Sequence, residues 1–99
     1  MNRLALGTVQ FGLSYGIANQ VGQVTRSEVK GMLQLALANG IDTLDTAIAY
    51  GKSEICLGEV GTQGFKVVTK LPAVPDDCVE VRTWVQQQVN ASLSRLGVT

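Results

Sequence analysis

Ninety-nine residues suffice for one small domain or part of a larger one, and a chain this short buries only a modest core. Hydrophobic residues make up 45% and charged residues 16%, with 11 glycines, a balance more apolar than a free-standing domain of this length needs and one that suggests missing packing partners. Eight basic residues cancel eight acidic ones, which leaves no overall field to gather nucleic acid or an anionic membrane surface.

Arg3 to Phe11 is mainly apolar and suits a first buried strand, followed by a glycine-bearing loop, Gly12-Leu13-Ser14-Tyr15-Gly16. Thr25-Arg26-Ser27-Glu28 has capping-box form, and Val29, Met32, Leu33, Ala36 and Leu37 recur at helical spacing until Asn39-Gly40 supplies a stop. Ile41 to Asp45 is then a second strand. Ser53 and Glu54 open a shorter helix with Ile55, Leu57 and Val60 as apolar contacts, closed by glycines 58, 61 and 64. Phe65 to Lys70 is a third strand. After the prolines at 72 and 75, Asp77-Cys78-Val79-Glu80 has capping-box spacing and starts a long helix. Its stripe of Val81, Trp84, Val85, Val89, Leu93 and Leu96 faces the core, Gln86, Gln87, Asn90 and Arg95 face water, and Gly97 offers a stop.

Three strand-helix units in 99 residues, roughly 30 per unit, are the repeat of parallel βαβ architecture. A closed barrel has eight such units and an open doubly wound sheet about five or six, so either fold would be unfinished here.

No apolar run approaches the roughly 20 residues of a bilayer span, and Met1-Asn2-Arg3-Leu4 soon meets glycine and Gln10 instead of a signal-peptide core, which points to the cytoplasm. Cys56 and Cys78 lack C-x-x-C spacing and the chain has no histidine, so no metal site is expected. Gly51-Lys52-Ser53 fails as a phosphate loop because Thr46 stands where its first glycine belongs. No G-x-G-x-x-G follows the first strand, and Asn90-Ala91-Ser92 is a chance sequon inside a helix.

The informative stretch is Asp45-Thr46-Ala47-Ile48-Ala49-Tyr50-Gly51-Lys52-Ser53-Glu54-Ile55-Cys56-Leu57-Gly58, followed by Thr69-Lys70 at the end of the next strand. Taken singly, Asp45 could cap a turn, Tyr50 could pack in a loop and Lys70 could be a solvated strand end. Parallel strands, however, deliver all three to one opening. The positive charge of an ammonium lets a tyrosine beside it give up a proton where negative charge develops. Lys70 would provide that charge, with Asp45 holding it in place.

This stretch resembles the signature of the aldo/keto reductases, D-T-A-x-x-Y-G-x-S-E-x-x-L-G with a later strand ending in T-K. Leu6-Gly7-Thr8 and Ser92-Leu93-x-x-Leu96 are similar to that family too, so the likeness covers nearly the whole chain. The resemblance implies that residues 1–99 are the N-terminal part of a single barrel domain, the first three βα units of a (β/α)8 TIM barrel of class α/β. It implies Tyr50 as proton donor and Lys70 and Asp45 as its supports, with a small aldehyde or ketone as substrate. It implies NADPH, or NADH, bound mainly by segments beyond Thr99, with Gly7, Thr8, Val9 and Asp45 near it. The family's substrate-orienting histidine would follow a fourth strand. Phe11 and Tyr50 are candidate pocket walls, with a core role equally open for Phe11.

Two other readings remain. The chain could be a non-catalytic fragment or interaction module that self-associates through its open sheet. Lys70 could instead be a Schiff-base nucleophile, which leaves the spacing of Asp45 and Tyr50 unexplained.

Overall fold

The structure, a computed structural model, describes residues 4–12 and 25–98. The expected residues Arg3 and Leu13-Ser14-Tyr15-Gly16 lie outside them. The elements run β1 (Leu6–Gly7), α1 (Val9–Gly12), α2 (Arg26–Ala38), β2 (Thr43–Asp45), α3 (Ser53–Val60), β3 (Lys66–Val68) and α4 (Val81–Leu96). The sheet is parallel throughout, in the order β1-β2-β3. Parallel neighbours require a crossover, and α2 and α3 supply it, which gives the expected α/β succession.

The strands are shorter than the apolar runs suggested. The first stops at Gly7, and Val9–Gly12 coils into a single helical turn instead of extending to Phe11. Periodicity cannot separate a short buried strand from a buried helical turn, and here Phe11 drops into the core instead of continuing the ladder. The others span Thr43–Asp45 and Lys66–Val68, without Ile41-Asp42, Phe65 or Thr69-Lys70.

The helix starts divide similarly. At α2 the capping box forms as expected: Thr25 Oγ1 accepts from the Glu28 N–H at 3.3 Å, while Glu28 Oε1 accepts from the Thr25 N–H at 3.2 Å. The Thr25 hydroxyl also donates to Glu28 Oε1 at 2.8 Å, and this bond, joined by the one from the Thr25 N–H, holds the Glu28 carboxyl below its ordinary range. The box expected at Asp77 and Glu80 does not form. Glu80 itself precedes the first turn of α4 and makes no side-chain cap.

The core gathers Phe11, Val29, Leu33, Leu44, Cys56, Leu57 and Leu96 between the sheet and its helices. Of the α4 stripe only Leu96 joins it. Leu96 is buried while Val81 and Val89 remain 49% and 39% exposed, because α3 packs against the end of α4. At that crossing an added Cβ on Gly58 would overlap the Arg95 carbonyl, so glycine lets the two helices touch. Gly58→Val is expected to lose about 1–3 kcal/mol of stability through overpacking, measured as a lower urea midpoint with unchanged slope. A wild-type midpoint would show that α3 and α4 do not meet there.

Candidate active site

Strand alternation sorts the site residues. On each strand one set of side chains turns toward the helices and the other toward the open face of the sheet. Leu44 and Thr46 are buried beneath the helices, whereas Asp45 between them is only half-buried. Gly7 pairs with Asp45 in register, and Asp45 with Val68, so these three share the open face. Lys70, two residues beyond Val68, emerges on the same face, while Thr69 points back toward the helices and donates to Glu54 Oε2 at 2.8 Å.

The loop after β2 brings Tyr50 to this row. Its backbone is tied down by the Ile48 N–H donating to Lys70 O at 3.1 Å, the Tyr50 N–H to Ala47 O at 3.1 Å and the Ser53 N–H to Tyr50 O at 3.0 Å. Gly51 follows with φ of 58°, the left-handed region that a side chain disfavours. Gly12 packs against the loop so closely that an added Cβ would overlap Tyr50 O and Ser53 N.

The ammonium of Lys70 lies at the centre of the group. It donates to Asp45 Oδ1 at 2.7 Å and to Thr46 O at 2.8 Å, and stands 5.0 Å from the centroid of the Tyr50 ring. The Asp45 hydrogen bond, opposed by desolvation and aided by the Asp45 charge and the Tyr50 hydroxyl, holds the Lys70 ammonium above the ordinary lysine range. The Asp45 and Lys70 side chains are 43% and 48% exposed, so this pair orients more than it stabilises. Asp45, Tyr50 and Lys70 are thus together at the C-terminal rim of the strands.

The other expected positions divide. Gly7 lies on the open face beside Asp45, with nothing within 4 Å of the position an added Cβ would take. Val9 is half-buried at the start of α1. Thr8 is fully buried on the helix side: its Oγ1 donates to Asp45 O at 2.9 Å and accepts from Ser53 Oγ at 3.0 Å. Thr46 Oγ1 and Ser53 Oγ complete this hydroxyl cluster at 2.9 Å. Ser53 therefore does not cap α3 but joins β1, β2 and α3 from beneath the rim. Phe11 belongs to the core rather than to a pocket wall.

Sequence reasoning missed the second polar cluster. Glu54, 2% exposed, accepts from Thr69 and Ser92 at Oε2 and from Arg95 Nε at Oε1, 2.8 Å away. Arg95 Nη2 also stands 2.8 Å from that oxygen, outside the hydrogen-bonding angle. Arg95 is thereby drawn to α3 instead of facing water. The signal for it was the i, i+3 spacing of Ser92 and Arg95, which puts both on one face of α4.

Among the described residues no helix is long and apolar enough to cross a membrane. The sequence model of the aldo/keto reductase family matches residues 3–99, and the chain belongs to that family of oxidoreductases. Two solved structures of Pseudomonas aeruginosa proteins assigned as aldo-keto reductases are similar to it. The first has a TM-score of 0.77 and 33% identity over 95% of this chain, the second 0.73 and 30% over 95%. The chain spans 38% and 36% of their respective lengths, and so matches part of an aldo-keto reductase barrel. No curated protein matches it.

Asp45→Asn is expected to return the Lys70 titration toward that of a free lysine, read as the pH dependence of Lys70 acetylation by mass spectrometry. Because the folded value is raised, the contribution of Lys70 to stability is complete below the unfolded lysine value and is lost as pH climbs through the folded one. An unchanged acetylation profile would mean that Asp45 does not hold this ammonium.

Proposed function

We propose that the chain is the N-terminal part of a (β/α)8 barrel reductase that converts an aldehyde or ketone to an alcohol with NADPH, or NADH, and that Tyr50 is the proton donor. The observation that supports this most is the meeting of an acid, a phenol and an amine at one strand-end rim, centred on Lys70 Nζ 2.7 Å from Asp45.

The donor set fits a nicotinamide cofactor: an uncluttered glycine at Gly7 and the Asp45 carboxylate line the face where it would lie, beside Lys70 and Tyr50. When bound, the cofactor supplies the hydride that reduces the carbonyl carbon. Tyr50 gives its hydroxyl proton to the carbonyl oxygen as negative charge builds there. The Lys70 ammonium stabilises the phenolate left behind, and Asp45 keeps that ammonium charged and aimed. Water at the half-exposed rim then returns a proton to Tyr50. The rest of the cofactor grip, and the histidine that orients the carbonyl in this family, belong to later strands. Residues 1–99 on their own therefore turn over little, since positioning contributes much of such catalysis.

In the full-length protein Tyr50→Phe is expected to lower kcat by about 100-fold or more while cofactor binding, followed by nicotinamide fluorescence, stays unchanged. Retention of wild-type kcat would refute the proton-donor role.

A second reading concerns the isolated 99-residue chain. Val68, Leu71 and Val74 on and beyond β3, with Val81 and Val89 of α4, are exposed apolar side chains, and among the described residues β3 is an edge strand. Such a surface favours self-association. Sedimentation of the chain is expected to show a mass that rises with concentration, and a compact monomer at all concentrations would dismiss this reading.

A further inference from the structure

Glu54 is the buried charged residue of the described part of the chain, and nothing in the proposed chemistry uses it. Burying a carboxylate is unfavourable unless its partners satisfy it, and an apolar residue could have joined α3 to α4 as well. Arg95 and Ser92 account for its contacts with α4. The remaining bond, from Thr69 Oγ1, serves a different end.

Regular pairing of β3 stops at Val68, so Thr69 and Lys70 extend past the ladder. Besides the bonds of the Lys70 ammonium itself to Asp45 and Thr46, two contacts hold this segment: on one side the Ile48 N–H donates to Lys70 O at 3.1 Å, and on the helix side Glu54 accepts the Thr69 hydroxyl at 2.8 Å. Glu54 is anchored by an ion pair to α4, whereas among the described residues no strand pairs with the other side of β3. We propose that Glu54 is a positioning residue, which through Thr69 fixes the end of β3 and so keeps Lys70 against Asp45 and Tyr50. This rests on the reductase reading for its consequence in catalysis, though not for its geometry.

The test uses the full-length protein and three variants. Glu54→Gln removes the charge, Thr69→Val removes only the link to β3 and leaves the Arg95 pair intact, and Thr69→Ser keeps the hydroxyl. Glu54→Gln and Thr69→Val are expected to lower kcat on the order of tenfold with the KM for NADPH unchanged, and Thr69→Ser to stay near wild type. The pH profile of Lys70 acetylation should shift toward that of a free lysine in the first two and remain in place in Thr69→Ser. Should Glu54→Gln fail to fold, Thr69→Val decides. Wild-type kcat together with a wild-type Lys70 profile in folded Thr69→Val would overturn the proposal and leave Glu54 as a helix-joining group only. If the wild-type protein reduces no aldehyde or ketone, the reductase reading fails by itself, and the Lys70 profile still tests the positioning.

Discussion

Everything at the rim depends on the parallel register of three short strands. With Gly7 opposite Asp45 and Asp45 opposite Val68, alternate residues fall on two faces that do different jobs. Leu44, Thr46 and Thr8 go under the helices, while Asp45 and Lys70 go to the open side. The period of a strand is two, so a slip of one residue in β3 would send Lys70 under the helices and Thr69 to the rim. A salt bridge between half-exposed partners is too weak to impose this arrangement. It is instead the result of the register.

The register in turn is defended by polar groups in an otherwise apolar layer. Ser53 bonds to the hydroxyls of both Thr8 and Thr46, and Thr8 to the Asp45 carbonyl, joining the ends of β1 and β2 to the start of α3. Glu54 does the same for the end of β3 and for α4. Buried hydroxyls and carboxylates are costly when unpaired, so an alternative pairing of the strands would strand several of them at once. Apolar packing by Leu44, Leu57 and Leu96 provides cohesion but little directional choice. The two clusters therefore determine which residue faces which way.

Much of this was legible in the residues. The three-unit succession followed from apolar runs, one capping box at Thr25 and glycine stops, because these are local signals. Asp45, Tyr50 and Lys70 stood out because their motif ends two predicted strands and their chemistry is complementary. Thr8 was read as a cofactor neighbour, yet its hydroxyl is turned inward by alternation on a strand whose true end, Gly7, an apolar run does not mark. Arg95 was read as facing water because charge usually means solvent, and Glu54 only as a residue that opens α3. Their partnership spans 41 residues of chain, and the i, i+3 spacing of Ser92 and Arg95 marks a shared face of α4 without naming the residue it meets. The α4 stripe had the right period, but period does not tell how far along a helix its neighbour extends.

The account is tested most directly by a crystal structure of the full-length protein. It predicts β3 in register with β2 as Asp45 opposite Val68, and the Lys70 ammonium within hydrogen-bonding distance of both the Asp45 carboxylate and the Tyr50 hydroxyl. Electron density with β3 shifted by one residue, or with the Lys70 side chain directed to the helix layer, would contradict it.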